Sequence, residues 1–462
     1  MKIALIEPFV SKEEIALKAY ADRSEPTHLL GMYNLLALKG AEVEIIDAYS
    51  NRISEWELTE KLVSEGFTHA GFTAYDYSPC LSYIEKVGQN LSRKVTLILG
   101  GCGATYTPTR MARIVRPDLI IRGDGEKALL ELLLCDFNPQ ALPKGFTVRK
   151  VDGSVVVDSP PILLDDVLFD RPYSLDFYNY EASPRLQRGC PGKCVFCVGA
   201  YQNTIEYRSP KRALELLKYL VCENKAAVIS PIGPDFTASP RKANEIVREM
   251  LAASFSVKEF RPGVRLDTLY TCIEREPELW RDLAARTRLH FESSIESFSY
   301  PRLKRLGKNV SKKFLQDIFH HMEGIIDVCD CTIVLGRIAL DSLITIDEFI
   351  LDSNSFINLL EAFPDRVTIG GELMNRFKPL WGTPSMAAGE RDNPWFEENF
   401  FDDLAITELK RTLLDNPKFR KWCRLAEQIA DFKDRNLVFR EILRVAGEYA
   451  ARLKTANPSG SP

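Results

Sequence analysis

The first 135 residues alternate between short apolar runs that are typical of β-strands and longer stretches with helical periodicity. Strands separated by helices need crossover connections, so this alternation predicts a parallel, doubly wound, Rossmann-like sheet. Ligands of such sheets bind beyond the carboxyl ends of the strands. The predicted strands are KIALIEP (2–8), EVEIIDA (42–48), HAGFTAYD (69–76), VTLILGG (95–101) and DLIIRG (118–123).

The pattern changes after residue 135 and divides the rest of the chain into three parts. Residues 136–185 lose the alternation and are interpreted as a linker, with a β-hairpin predicted around the Asp152-Gly153 turn. A second αβ series occupies residues 186–390. Residues 391–462 are predicted to form a helical C-terminal region, in which Asn416-Pro417 opens one long helix. The sequence therefore predicts an α/β protein with two αβ domains and a helical tail.

The composition is that of an ordinary globular protein with more than one domain: 462 residues, 45% hydrophobic and 27% charged. A net charge of −4 disfavours a nucleic-acid substrate, because the chain has no overall basic field for a phosphate backbone. Neither a signal peptide nor a long apolar span occurs, so we expect a cytoplasmic protein without a membrane partner. In that setting the eleven cysteines are better interpreted as reduced thiols or metal ligands than as disulfides.

Three of these cysteines are closely spaced in RGCPGKCVFC, just after the apparent strand SPRLQR. Cys190, Cys194 and Cys197 form a Cys-x3-Cys-x2-Cys arrangement on a short loop. Three such thiolates can bind three corners of a cubane iron–sulfur cluster and leave the fourth iron without a protein ligand. The open iron can chelate the amino and carboxylate groups of a small molecule and pass it an electron.

A zinc site with a distant fourth ligand is the alternative interpretation of this motif. Structural zinc normally uses two pairs of cysteines, and no second pair lies at a suitable distance in the sequence. A zinc-stabilised carrier or sensor without catalytic activity therefore stays open as a hypothesis of another class.

The CxxxCxxC motif, with the aromatic Phe196 before its last cysteine, resembles the radical S-adenosylmethionine superfamily. That resemblance implies a partial (β/α)6 barrel of the TIM type and a [4Fe-4S] cluster on Cys190, Cys194 and Cys197. In place of the family's Gly-Gly-Glu, this chain has SPIGPDFT, so the resemblance assigns Asp235 to the methionine amino group of S-adenosylmethionine. In RLHFESSIESFSYPRLKRLGKN it assigns Glu292 to the adenosyl ribose, with Glu296 as the alternative.

Three further patterns occur in the same region. Arg265, at the end of a predicted strand, is a candidate carboxylate anchor or an ordinary rim residue. Cys329 and Cys331 alternate along the chain, which predicts that they face the same side of one strand. The segment FKPLWGTPSM (377–386) resembles the "PGTply" segment of superfamily members that carry an N-terminal cobalamin-type domain.

The N-terminal segments LGGCGATYTP and RGDGE resemble the cobalamin-binding domain that precedes many radical S-adenosylmethionine modules. Glycine turns of this kind let a large planar ligand or a backbone approach closely. The resemblance covers residues 1–135 and implies a cobalamin site near Tyr75 and Asp76. The other cofactor-binding residues that it implies are Gly100, Gly101, Thr105, Gly123, Gly125 and Glu126.

This sequence departs from the motif of the cobalamin mutases at the residue that provides the lower axial ligand of the cobalt. The Asp-x-His-x-x-Gly sequence of the cobalamin mutases does not occur, and only His28 falls in a loop or helix start near a predicted carboxyl end. If cobalamin binds, the resemblance therefore implies that no histidine ligates it. Loss of the cofactor from the domain is the alternative.

The function implied by these resemblances is generation of a 5′-deoxyadenosyl radical, with cobalamin-dependent methylation of a small-molecule or peptide carbon as the expected outcome. Cyclisation, rearrangement and sulfur chemistry stay open, because one sequence does not identify substrate residues. An external reductant such as flavodoxin or ferredoxin is the implied partner.

Overall fold

The computed structural model describes the following residues: 1–9, 27–75, 78–91, 95–160, 163, 181–197, 204–223, 225–341, 343–370, 404–409, 411–412, 416–427, 429 and 431–456. The chain divides into two compact units: the first comprises residues 1–179 and 215–225, and the second comprises residues 180–214 and most of the chain from 226 onward.

The first unit contains a seven-stranded sheet in the order β2-β1-β3-β4-β5-β7-β6. Strands β1 to β5 are parallel and overlap the five predicted strands, which confirms the doubly wound architecture. Because β1 lies between β2 and β3, the direction of winding reverses there. The strands are β1 (Lys2–Glu7), β2 (Glu42–Asp47), β3 (His69–Thr73), β4 (Thr96–Gly100), β5 (Leu119–Arg122), β6 (Thr147–Val151) and β7 (Ser154–Asp158).

Helices cover both faces of this sheet and bury two apolar cores. The larger core includes Ile6, Phe72 and Leu99, and the smaller includes Leu5, Ile98 and Ile121. Alternate residues of one strand thus face opposite cores, as expected for a sheet buried on both sides. The helices are α1 (Thr27–Leu38), α2 (Glu55–Ser64), α3 (Ser78–Asn90), α4 (Gly101–Tyr106), α5 (Pro108–Ile114) and α6 (Gly125–Leu134).

The predicted hairpin around Asp152-Gly153 is present, but it is part of the first sheet and not of a linker. Strand β7 pairs antiparallel with β6 and parallel with β5. The hairpin therefore extends the sheet at one edge, and the first unit continues well beyond residue 135.

The second unit contains a six-stranded sheet in the order β15-β14-β13-β12-β11-β8, and all of its strands are parallel. This sheet is the partial (β/α)6 barrel that the sequence predicted. Its first strand, β8, lies within the segment predicted as linker. The strands of this unit are β8 (Glu181–Ala182), β9 (Gln187–Arg188), β10 (Glu206–Tyr207), β11 (Val228–Ile229), β12 (Glu259–Phe260), β13 (Arg288–Glu296), β14 (Thr332–Arg337) and β15 (Val367–Ile369), of which β9 and β10 form a separate antiparallel pair.

Helices alternate with the strands of the second sheet and pack on one of its faces. Trp280, for example, lies against Phe291, with 6.1 Å between the ring centroids. The helices of this part of the chain are α7 (Pro210–Lys218), whose residues are divided between the two units, followed by α8 (Pro240–Ala252), α9 (Leu266–Arg275), α10 (Pro277–Ala284), α11 (Tyr300–Arg305), α12 (Lys312–Gln316), α13 (Ile318–Cys329) and α14 (Ile346–Ala362).

The C-terminal region is helical, as predicted, although Asn416-Pro417 does not open one long helix. The described residues form α15 (Leu404–Leu409), α16 (Pro417–Glu427) and α17 (Phe432–Ala456). Pro417 begins the short α16, and the longest helix begins separately at Phe432. Helical periodicity in the sequence indicated helix here but did not locate the break between α16 and α17.

Helix α17 is attached to the edge strand β15 through one buried side chain. The Asn436 amide donates hydrogen bonds to the carbonyl oxygens of Pro364 (2.8 Å) and Val367 (2.6 Å). Its oxygen accepts a hydrogen bond from the Thr368 hydroxyl at 2.9 Å. A single side chain therefore satisfies backbone groups that a neighbouring strand would otherwise bind. Among the described residues, no helix is both long enough and apolar enough to span a bilayer.

Candidate active site

The cysteine loop, residues 189–197, directly follows β9. None of its three cysteines forms a disulfide, and all three are half-buried. The Cys197 amide donates to the Cys194 carbonyl at 3.1 Å, and the Gly192 amide donates to the Cys190 sulfur at 3.3 Å. A Cβ atom at Gly192 would lie 3.3 Å from the Cys190 sulfur and 3.7 Å from the Cys194 sulfur. The sulfur atoms of Cys190 and Cys194, two of the predicted cluster ligands, therefore both lie close to Gly192.

Arg265 supports the loop from the end of β12. Its guanidinium is paired with Asp267 (2.8 and 3.0 Å) and donates to the Asn309 carbonyl at 2.7 Å. One of its nitrogens would lie 2.8 Å from a Cβ atom at Gly192, so a side chain there would have to displace the guanidinium from its hydrogen bonds. Arg265 is therefore a residue that positions the cysteine loop, a role that the sequence alone did not suggest.

The turn after α11 supports the loop from a second side. The Val195 amide donates to the Leu306 carbonyl at 3.0 Å. Gly307 has a φ of +66°, and a Cβ atom there would lie 2.5 Å from the Lys193 carbonyl oxygen. Both its conformation and its contact require glycine. The cysteine loop is thus clamped between Arg265 and the Gly307 turn.

The segment between β13 and this turn is anchored by a buried ion-pair network around Arg302. The Arg302 guanidinium is fully buried and lies 2.6 Å from Asp341 and 2.6 Å from Asp352. It also donates to the Ile338 carbonyl at 2.8 Å. Since all partners come from outside α11, the network fixes the helix that leads into Gly307.

Burial raises the pKa of the Cys190 thiol and raises that of Cys194 to about 11. The positive charges of Arg265 and Lys308 oppose the rise without overcoming it. A thiol that stays protonated at neutral pH is a poor nucleophile, whereas metal binding would deprotonate it.

Among the described residues, no three His, Cys, Asp or Glu side chains converge on a single ion position. A cubane cluster distributes its ligands, because each thiolate binds a different iron. The spacing along the cysteine loop therefore fits a cluster without requiring that the three sulfurs meet at one point.

Asp235 lies close to the cysteine loop but is fully buried. Its carboxylate accepts hydrogen bonds from the Thr237 amide (3.1 Å), the Arg265 amide (3.2 Å) and the Thr268 hydroxyl (3.1 Å). Burial raises its pKa to about 6, and these hydrogen bonds limit the rise. Asp235 therefore joins the ends of two barrel strands, and its predicted contact with the methionine amino group stays a prediction.

Glu292 belongs to a polar face of the barrel sheet, formed by Glu181, Arg261, His290 and Glu292. Arg261 lies 3.6 Å from Glu181, and His290 contacts Thr332 at 2.7 Å. Phe291, which alternates with Glu292 along β13, packs on the opposite, helix-covered face. The polar face is therefore the concave side of the sheet.

The Glu292 side chain is exposed to solvent, yet surrounding protein raises its pKa. The nearby negative charge of Glu181 adds to the rise, and Arg261 opposes it. An accessible carboxyl group inside a concave polar surface is well placed to bind hydroxyl groups of a ligand.

Glu296 occupies a different environment at the end of the same strand. It lies at a β-bulge with a φ of +66°, is buried, and pairs with Lys308 at 3.3 Å. Lys308 also bonds to the Ser294 hydroxyl at 2.7 Å. Because its carboxylate is engaged by Lys308 beside the cysteine loop, Glu296 is less available to a ligand than Glu292.

In the first unit, Tyr75 lies at the carboxyl edge of the sheet, where the winding reverses. Its hydroxyl donates to Glu7 at 3.0 Å; Tyr75 follows β3, and Glu7 is the last residue of the neighbouring strand β1. Crevices at such a reversal are the usual ligand sites of open α/β sheets. The neighbouring Asp76 lies outside the described residues, as do the His28 side chain and the segment 377–386.

The glycine turns of the first unit lie along the same edge. A Cβ atom at Gly100 would meet no atom within 4 Å, whereas Gly101, with a φ of +88°, packs 3.1 Å from the Ala74 carbonyl oxygen. Thr105 accepts a hydrogen bond from the Gly123 amide at 3.2 Å and so joins two strand ends. Gly101 and Gly123 thus have structural roles, and Gly100 leaves open space beside them.

Gly125 and Glu126 begin α6 at this edge. A Cβ atom at Gly125 would lie 3.6 Å from the Met32 sulfur, and Glu126 is buried. The expectation that these residues contact cobalamin stays a prediction.

Cys329 and Cys331 do not share a strand, contrary to the prediction. Cys329 ends α13, and Cys331 precedes β14. Both are buried, and burial raises the pKa of each thiol, that of Cys331 to about 12. They are core residues. The alternate positions of the two cysteines in the sequence suggested one strand, but helix α13 continues up to Cys329 and the strand begins only after Cys331.

No protein-family model matches the chain. It is 26% identical over 266 residues to an uncharacterized methyltransferase of Pyrococcus horikoshii, covering 53% of this chain and 56% of that protein. It is also 26% identical over 298 residues to the anaerobic magnesium-protoporphyrin IX monomethyl ester cyclase of Cereibacter sphaeroides, covering 60% of this chain and 48% of that protein. The chain spans about half the length of the curated relatives it matches.

Two groups of solved structures are similar in fold. OxsB, a cobalamin-dependent S-adenosylmethionine radical enzyme with aqua-cobalamin and S-adenosylmethionine bound, gives a TM-score of 0.69 at 15% identity over 100% of this chain and 73% of its own. TsrM from Kitasatospora setae, a radical S-adenosylmethionine methyltransferase with cobalamin and a [4Fe-4S] cluster bound, gives 0.62 at 15% identity over 83% and 73%.

Proposed function

Because the chain has the fold of the cobalamin-dependent S-adenosylmethionine radical enzymes, we propose that it is itself such an enzyme, with its cluster on Cys190, Cys194 and Cys197. The observation that carries the proposal is the clamped loop of three half-buried thiols. When bound, the cluster would supply the electron that cleaves S-adenosylmethionine into methionine and a 5′-deoxyadenosyl radical.

The chain's own residues would hold and orient the reactants. The three thiols would bind three irons, and Arg265 and the Gly307 turn would keep them in place. Glu292 would accept hydrogen bonds from the ribose hydroxyls on the polar face. In the first unit, the edge formed by Tyr75 and Gly100 would bind a corrinoid, which supplies a methyl carrier when bound.

For the outcome of the reaction, we infer methylation of a small-molecule or peptide carbon. Similarity to the methyltransferase of Pyrococcus horikoshii and to the fold of TsrM supports this choice. Similarity to the magnesium-protoporphyrin cyclase favours a second candidate, a radical cyclisation without methyl transfer.

Anaerobic purification followed by metal and corrinoid analysis tests this function against a zinc-stabilised carrier. We expect about four irons and four sulfides per chain, one corrinoid, and formation of 5′-deoxyadenosine under reduction. Electron paramagnetic resonance of the bound cob(II)alamin is expected to lack nitrogen splitting, because the sequence has no lower-ligand histidine motif. One zinc without iron would establish the carrier instead. Iron without a corrinoid would favour the cyclisation candidate.

Replacement of Glu292 by alanine tests the assigned ribose contact. We expect the dissociation constant for S-adenosylmethionine to rise roughly tenfold, since a hydrogen bond to a charged group is lost, while the iron content stays the same. Calorimetric titration of reconstituted protein measures the change. The matched control is Glu249→Ala, which removes an exposed carboxylate from the outer helix α8. An unchanged affinity in Glu292→Ala would transfer the ribose contact to another residue.

A further inference from the structure

The guanidinium of Arg265 has one nitrogen that the hydrogen bonds within the protein do not use. Nε and Nη2 donate to the Asp267 carboxylate at 3.0 and 2.8 Å, and Nη2 also donates to the Asn309 carbonyl at 2.7 Å. Nη1 has no hydrogen-bond partner among the described residues. Only 9% of the side chain is exposed. A buried donor without a partner calls for a specific explanation, and a bound group is one of the usual ones.

Nη1 lies next to the same point of the cysteine loop as two sulfur atoms. A Cβ atom at Gly192 would lie 2.8 Å from Nη1, 3.3 Å from the Cys190 sulfur and 3.7 Å from the Cys194 sulfur. The unused nitrogen and two of the predicted cluster ligands therefore surround a position at which the chain has no side chain.

We propose that Arg265 raises the reduction potential of the cluster by holding its positive charge and the N–H groups of Nη1 beside the sulfur atoms of Cys190 and Cys194. This inference rests on the proposed function, because it requires a cluster on the cysteine loop. Reduction adds one electron, and therefore one negative charge, to the cluster and its thiolates. A nearby cation stabilises the reduced form more than the oxidised form, and hydrogen bonds to the sulfurs act in the same direction.

Burial makes the charge of Arg265 effective at this position, because a charge interacts more strongly where little water surrounds it. Burial also disfavours the charged guanidinium, but pairing with Asp267 and negative charge on Cys190 and Cys194 raise its pKa, so that it stays protonated. The Asp267 side chain is 27% exposed, three times as much as that of Arg265. Water therefore screens the carboxylate more than the guanidinium, and the pair is positive on the side of the cysteine loop.

Lys308, the other cation beside the loop, is less suited to this role. Its ammonium group donates to the Ser294 carbonyl, to the Ser294 hydroxyl at 2.7 Å and to Glu296 at 3.3 Å. These bonds use every N–H of the ammonium group. The Glu296 carboxylate is as deeply buried as Lys308, so the two charges compensate each other. The structure therefore assigns the effect on the cluster to Arg265.

The test is a redox titration of the full chain, reconstituted with iron and sulfide and kept free of S-adenosylmethionine. Dithionite is the reductant, and electron paramagnetic resonance measures the reduced cluster. We expect Arg265→Gln to lower the ratio of reduced to oxidised cluster roughly tenfold at a fixed potential, which is about 59 mV for one electron. Asp267→Asn removes the negative partner, so it should raise the same ratio. A purely structural role would not produce shifts of opposite sign, because both variants break the same ion pair.

The matched control is Arg248→Gln, which breaks an exposed ion pair with Glu276 on the outer helix α8 and should leave the potential unchanged. Equal potentials in wild type and Arg265→Gln would overturn the inference. If the affinity for S-adenosylmethionine fell in that variant at an unchanged potential, Arg265 would be a carboxylate anchor instead.

The iron content of each variant is measured before the titration. If Arg265→Gln retains no cluster, Asp267→Asn decides alone, and a potential at or below that of wild type in Asp267→Asn would overturn the inference. A wild-type chain that retains no iron–sulfur cluster would overturn the proposed function itself.

Discussion

Replacement of any one of Cys190, Cys194 and Cys197 by alanine is expected to abolish 5′-deoxyadenosine formation and to reduce the iron content of the protein to background. Two thiolates on the loop would leave two irons of the cubane without protein ligands, which a reactive cluster does not tolerate. Iron and sulfide analysis after anaerobic reconstitution, with chromatographic detection of the nucleoside, measures both losses.

The fold is expected to survive these substitutions, because all three side chains are only half-buried and the second unit buries apolar side chains such as Phe291 and Phe349. Circular dichroism should therefore be unchanged. The matched control is Cys135→Ala, which removes a half-buried thiol outside the loop and should leave iron content and turnover intact. A loop variant that keeps a full cluster and full turnover would refute the assignment of these ligands.

Replacement of Arg302 by methionine is expected to lower the free energy of unfolding by about 3 to 5 kcal/mol, because Asp341 and Asp352 would remain buried without their cation. Denaturant unfolding of the apoprotein, followed by circular dichroism, measures the change. Since Arg302 fixes the helix that leads into Gly307, we also expect poorer retention of iron after reconstitution.

Arg281→Met is the matched control for this substitution. Arg281 pairs with Glu278 at the surface of the same unit, where an exposed ion pair contributes little. Its loss should change the free energy of unfolding by less than about 0.5 kcal/mol. Equal effects in the two variants would show that the buried network does not stabilise the fold.

The first sheet could be predicted from the sequence because its strands are buried on both sides and alternate with amphipathic helices. Leu5 and Ile6, for example, face opposite cores, and this produces the continuous apolar runs that mark strands. The pairing of β7 with β5 was not predictable in the same way. A hairpin can be recognised from its own residues, but those residues do not indicate which strand of the sheet it will pair with.

The sequence located the candidate site only where a short local motif defines its residues. The spacing of Cys190, Cys194 and Cys197 is visible in eight residues, so the cysteine loop could be located at once. The contact of Gly192 with Arg265 joins residues more than seventy positions apart, and no pattern within either segment indicates it. The internal hydrogen bonds of Asp235 with Thr237, Thr268 and the Arg265 amide were likewise not visible in the sequence, and its contact with the methionine amino group stays a prediction.

The attachment of α17 to β15 also bears on how this protein avoids aggregation. An unprotected edge strand is a template on which another chain can add a strand of its own. At β15, Asn436 of helix α17 forms the hydrogen bonds that an added strand would otherwise form. A side chain offers no further strand edge with which another chain could pair. The helical tail therefore covers the outer edge of β15, and truncation before α17 is expected to expose that edge and promote aggregation.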